Sequence, residues 1–178
     1  MRIWLVLATA CVLSGCTHIM LPGHAGSLEG CADRIAARIA GGLEDSYQGI
    51  SVLVGTPVDA VSFSPGDFGL ALQELLIGAL AEEKVNVLDV QLRPEPYITC
   101  RDGLIVLSRD ADRIRKQFKA DVVIASTYLV RGDEIVITSR AVDFMNNDVI
   151  ASATVVLATT AGVGNLVRSR GQAAVYEK

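Results

Sequence analysis

Apolar and polar positions alternate most regularly between Asp121 and Leu157, and three β-strands are predicted there in succession. The first covers Asp121–Val130, the second Glu134–Val142 and the third Val149–Leu157. Val, Ile and Thr dominate all three, and their branched Cβ atoms suit a pleated, half-buried surface. In the second strand Ile135, Ile137 and Ala141 fall on one face, with Thr138 and Arg140 on the other, the period of two expected of a sheet with one wet side. Arg131-Gly132-Asp133 supplies the first turn because Gly accepts a positive φ, and Asn146-Asn147-Asp148 supplies the second because Asn tolerates the same region. The three strands form an antiparallel meander.

Upstream the period changes to that of helices. Leu28, Cys31, Ile35 and Ile39 recur at helical spacing, which predicts a helix over Leu28–Glu44 with Ser27 as its N-cap and a weakened end at Gly41-Gly42. Ile50–Val54 reads as a short buried strand, and Val58–Phe63 as an irregular connection. Ser64-Pro65-Gly66-Asp67 has the composition of a capping box and predicts a second helix running to about Glu83. Phe68, Leu72, Leu75, Leu76, Ala79 and Leu80 form its buried stripe, and Glu82-Glu83-Lys84 its solvated end. A strand over Val85–Leu92, a hairpin around Arg101-Asp102-Gly103 and a third helix over Arg109–Lys119, capped by Ser108, complete the pattern. The fold class is therefore α/β (α+β): a mixed sheet ending in the meander, with about three helices packed on it. Residues 159–178 lose periodicity and read as a loosely packed tail.

The N-terminus carries different information. Arg2 precedes the apolar run Ile3–Leu13, which has the length of a secretory signal and is too short for a permanent span. Leu13-Ser14-Gly15-Cys16 resembles the lipobox of bacterial lipoproteins. That resemblance implies cleavage before Cys16 and acylation of its thiol and new amino group, so that the protein is anchored to a membrane without spanning it. Thr17, in place of the Asp that commonly retains lipoproteins in the inner membrane, implies the periplasmic face of the outer membrane. Four segments follow: a signal over residues 1–15, a tether over 16–26, a globular domain over 27–158 and the tail.

Cleavage removes one charge, Arg2, and takes the formal net charge from −4 to −5. An acidic domain with 5% aromatic residues fits neither a nucleic-acid partner nor an anionic surface held by charge. His18 and His24 both lie in the tether, so the globular part has no histidine for a metal centre or a hydrolytic triad. Gly162-Val163-Gly164 is not followed by the Lys of a phosphate loop, and Gly-x-Ser-x-Gly is absent. Asp110 and Asp112 sit where a helix dipole favours negative charge and need no catalytic role. No catalytic residue, metal ligand or cofactor is expected. Cys11 is lost with the signal, which leaves Cys31 and Cys100 in an oxidising compartment, either joined as a disulfide or buried as free thiols.

Leu107-Ser108-Arg109-Asp110 after a hairpin, Ala120-Asp121 opening the meander, the Gly132-Asp133 turn and the run Arg140-Ala141-Val142-Asp143 together resemble the FlgO-type domain over about Leu28–Leu157. Proteins of that family are outer-membrane lipoproteins associated with flagella. Their domain is related in shape to those of the TolB N-terminal, CsgG and LpoB types. The resemblance implies a non-enzymatic lipoprotein that supports the flagellum and motility by packing on basal-body or other envelope proteins, with a homo-oligomer allowed. The alternative is an envelope-assembly or regulatory lipoprotein, for example an activator of a peptidoglycan synthase. A secretion pore of the CsgG type needs additional membrane-crossing strands, and every strand found here is used by the globular sheet.

Overall fold

A computed structural model describes residues 26–43, 49–88 and 119–168. Its centre is a six-stranded mixed sheet with helices on one face. In chain order the elements are α1 (Leu28–Leu43), β1 (Val52–Val54), β2 (Val58–Asp59), α2 (Asp67–Glu82), β3 (Val87–Leu88), β4 (Val122–Arg131), β5 (Glu134–Asp143), β6 (Val149–Ala158) and α3 (Ala161–Arg168).

The strands lie in the order β3-β1-β4-β5-β6. β1 runs parallel to both neighbours, pairing Val52 with Val87 and with Val122. β2 continues along the same side of β4, also parallel, with Val58 opposite Thr127. β4, β5 and β6 form the antiparallel meander at nearly the expected boundaries. Gly132 (φ 62°) and Asn147 (φ 63°) occupy the left-handed positions of the two turns. A bulge at Ala141/Val142 offsets the start of β6.

The alternation along β5 sorts its side chains as expected: Ile135, Ile137 and Ala141 are fully buried, Thr138 is half-buried and Arg140 is exposed. Val122, Ile124 and Tyr128 of β4, with Ala153, Val155 and Leu157 of β6, complete the inner face. Helix α1 presents Cys31, Ile35 and Ile39 to it, and α2 presents Phe68, Leu72, Leu76 and Leu80. Each such aliphatic or aromatic side chain contributes about 1.5–3 kcal/mol on leaving water. The outer face is less open than one wet side implies. Leu53 and Val123 point there and are buried too, so it is solvated chiefly over β5 and β6.

Local signals explain where α1 begins. The Gly30 N–H donates to Ser27 Oγ at 3.1 Å, the expected N-cap. Gly41-Gly42 does not weaken the helix before Leu43. Gly42 instead lets α1 approach β6 closely, since a Cβ there would lie 2.6 Å from that of Ala151. On β6, the last strand of the sheet among the described residues, the Thr154 carbonyl accepts from Arg38 Nη1 at 2.9 Å.

Three expectations need correction. The capping box at Ser64-Pro65-Gly66-Asp67 does not form: α2 starts at Asp67, and Gly66 stands at the N-cap with no side-chain hydrogen bond. A tighter knot at Asp59 has claimed this stretch, for the Asp59 N–H donates to the Ser64 carbonyl at 3.0 Å. The segment Val58–Phe63 is not wholly irregular, because Val58–Asp59 is a strand. Residues 159–178 are not a loose tail throughout: Ala161–Arg168 is helical, buries Val163 and Gly164, and packs near α2. Three helices are thus described, but the third is not the expected one. Arg109–Lys119 lies outside the described residues apart from Lys119, as do the hairpin near Arg101 and the strand beyond Leu88.

Candidate interaction surface

Cys16, the tether with His18 and His24, and Cys100 lie outside the described residues. Cys31 has no disulfide partner among the described residues and no exposed surface on the inner side of α1. Burial pushes its pKa up to about 11, and the nearby Arg34 charge opposes this only in part. Such a thiol is a poor nucleophile at neutral pH. Among the described residues, no cluster of three His, Cys, Asp or Glu side chains could hold a metal ion.

The buried polar residues Thr56, Gln73, Ser126 and Ser139 are hydrogen-bonded, and Thr159 Oγ1 is the buried side-chain oxygen left without a partner among the described residues. Ser126 and Ser139 face each other across β4 and β5 with their hydroxyls 2.8 Å apart. Gln73 of α2 donates to the Val54 carbonyl at 3.0 Å and accepts from Thr56 Oγ1 at 2.8 Å. This pair of bonds ties α2 to the break between β1 and β2. Sequence reasoning passed over Gln73, although a polar residue on an apolar helical stripe was the available signal. The arrangement holds the scaffold together, because an unpaired amide there would carry its full desolvation cost.

Among the described residues, two exposed surfaces stand out. On the outer face, Thr138 and Thr154 bond across β5 and β6 at 3.3 Å, with Arg140 exposed beside them. At the opposite margin of the sheet, the loop after β2 is built around Asp59. Its Oδ1 accepts from the Val61 N–H at 2.9 Å, the Ser62 N–H at 2.8 Å and the Ser62 hydroxyl at 3.1 Å. The Phe63 N–H donates to the Asp59 carbonyl at 2.9 Å. The Ser62 amide holds the Asp59 carboxyl below its usual range; burial opposes it next in size, and the Val61 amide and the Ser62 hydroxyl lower it further. Phe63 is left at φ 53°, a conformation that costs a bulky residue about 1–2 kcal/mol.

The platform under this loop is Tyr128. Its ring meets Phe68 edge-on, with centroids 4.8 Å apart. Burial raises the phenol pKa first and the Asp59 charge second, while a hydrogen bond from the Gly66 backbone opposes them. Gly69 completes the fit. A Cβ there would overlap the Pro57 carbonyl oxygen and come within 3.7 Å of the Tyr128 ring, so α2 seats its first turn directly on the backbone before β2.

A family model, the FlgO protein, matches residues 32–161, from the second turn of α1 to the start of α3. The chain belongs to the FlgO family. The match spans both surfaces, so the Asp59 loop and the Arg140 face lie within the FlgO domain. Among solved structures, the NMR structure of E. coli LpoB is similar at 12% identity and TM-score 0.55, covering 90% of this chain and 82% of that one. The LpoB C-terminal domain from Escherichia coli is similar at 16% identity and TM-score 0.51, covering 71% and 97%. These likenesses concern the fold. No curated protein matches the chain in sequence. The FlgO membership and the LpoB-like shape agree with the resemblance drawn from the motifs between Leu107 and Asp143.

Proposed function

We propose that this protein is a non-enzymatic lipoprotein, held on the periplasmic face of the outer membrane by acyl chains on Cys16, that supports flagellar assembly or stability. FlgO family membership over residues 32–161 carries the reading, and the lipobox at Leu13–Cys16 is its second support. The domain contributes surfaces rather than chemistry. Its polar groups knit the scaffold, and its sheet and Asp59 loop are available to basal-body or other envelope proteins. A regulatory lipoprotein of envelope assembly, such as a peptidoglycan synthase activator, is the second reading, motivated by the LpoB-like fold.

The deciding experiment combines fractionation with phenotype. Cys16→Ala should leave a folded domain that no longer sediments with the outer membrane, because the acyl chains contribute nearly all the membrane affinity. Loss of the protein should impair motility and leave peptidoglycan synthesis unchanged. Full motility with altered peptidoglycan synthesis would replace the first reading by the second. Unaltered membrane association of Cys16→Ala would overturn the anchor.

A further inference from the structure

Seven large apolar side chains are exposed among the described residues, and five of them lie at one end of the fold: Val61, Phe63, Leu70, Leu129 and Val130. The topology brings them there. Pairing of β2 with β4, extended by the hydrogen bond from Ala60 to the Tyr128 carbonyl, sets the loop beside the end of β4. Gly69, seated against Pro57 and Tyr128, brings Leu70 to the same end. Val61 is 76% exposed and Phe63 62%. Neither is loose, because the Asp59 carboxylate ties the backbone beneath them. An exposed aromatic side chain held at positive φ by its own loop is preorganised rather than merely uncovered.

Charge selects the occupant. Residues 55–70 carry Asp59 and Asp67 and no cation, and residues 127–134 add Asp133. Arg131, the one cation on these two stretches, is ion-paired with Glu134 at 3.0 Å. An anionic lipid surface would be repelled. A second copy meeting this end symmetrically would bring the same three Asp side chains against themselves. The geometry points to a docking site for a different protein, one offering an apolar pocket for Phe63 and Val61 within a rim of Lys and Arg. This partner surface rests on the accessory-lipoprotein reading and puts its contact at the Asp59 loop rather than on the Arg140 face.

The test uses the full-length lipidated chain in its own cells, with benzoylphenylalanine at position 63 and, as control, at exposed position 152. Illumination should join position 63 to one other protein, identified by mass spectrometry, and position 152 to none. The yield should fall severalfold when Asp67→Lys and Asp133→Lys are added. The purified partner should bind the unlipidated chain less tightly as salt rises. Phe63→Ser should abolish that complex while leaving the unfolding temperature unchanged. An adduct of twice the chain's own mass would assign the site to a second copy. Flotation of the unlipidated chain with phosphatidylethanolamine–phosphatidylglycerol vesicles, lost in Phe63→Ser, would assign it to the membrane. Either result overturns the inference, as does the absence of an adduct or one indifferent to charge reversal. An adduct with a non-flagellar protein would keep this site while removing the flagellar role. Impaired motility without an adduct would do the reverse.

Discussion

Gly69 and Gly78 lie in the same helix, yet replacing each with Ala should move stability in opposite directions. Both substitutions gain about 1 kcal/mol of helix propensity, and both narrow the unfolded ensemble equally. At Gly78 a Cβ meets nothing within 4 Å, so the gain should stand. At Gly69 the new methyl would overlap the Pro57 carbonyl oxygen and lie 3.2 Å from its carbon. Overpacking costs about 1–3 kcal/mol when side chains can yield, and the obstacle here is main chain, so the upper end or more applies. The helix must lift from its seat, which also strains the Phe68–Tyr128 contact and the Gln73 bonds to Val54 and Thr56. A net loss of about 2 kcal/mol is expected for Gly69→Ala against a gain of about 1 for Gly78→Ala. For a chain of this size these correspond to a fall of about 4–8 °C and a rise of about 2–4 °C in Tm. Thermal unfolding of the unlipidated protein, followed by circular dichroism, measures both. A Gly69→Ala protein at or above the wild-type Tm would refute the close seating of α2 on β2's approach.

Ile137→Ala should cost about 2–5 kcal/mol because Ile137 is wholly buried, whereas Arg140→Glu should stay within about 0.5 kcal/mol; denaturant titration of both checks the face assignment. Non-reducing peptide mapping should recover one peptide linking Cys31 to Cys100, a bridge worth about 4 kcal/mol in the chain-entropy model. Two freely alkylated thiols would refute it and leave Cys31 as the slow-reacting buried thiol described above. The Asp59 pKa is lower folded than unfolded, so its contribution is present above the ordinary carboxylate pKa near 4 and lost as pH falls through the folded value. Asp59→Asn should therefore be less stable than wild type at pH 7, with the difference shrinking on acidification, and equal stabilities at pH 7 would contradict the knot.

How much was legible follows from how local each signal is. The meander was legible because branched residues at a period of two, flanked by Gly132 and Asn147, specify strands and turns without distant partners. The start of α1 was legible for the same reason, since Ser27 bonds three residues ahead. The start of α2 was not, because the competitor of the local capping box is Asp59, whose hold on the stretch depends on β2 finding β4. Gln73 and Gly69 were hidden likewise: one answers to a carbonyl of β1, the other to the backbone of Pro57. The short α3 escaped because Ala161-Gly162-Val163-Gly164 has weak helix propensity and is held by packing. Of the interaction surfaces, the Arg140 face was readable from alternation alone. The Asp59 loop was not, since exposure of Val61 and Phe63 is a property of the assembled end.

Insertion of β1 between β3 and β4 also sets an order of assembly. β4, β5 and β6 adjoin one another along the chain, so each hairpin closes a short loop. The bond from Ser51 to Asp121 spans 70 residues, and that from Arg38 to Thr154 spans 116. Loop-closure entropy therefore favours the meander as the first persistent structure, with α1 and β1 captured afterwards. During synthesis the order of appearance is the opposite. The apolar stripe of α1 emerges first and has no sheet to cover it until β6, near the end of the chain, has been made. The amino-terminal half thus waits with its core surface uncovered, and this interval is when the nascent protein is most exposed to aggregation and most in need of a holding chaperone.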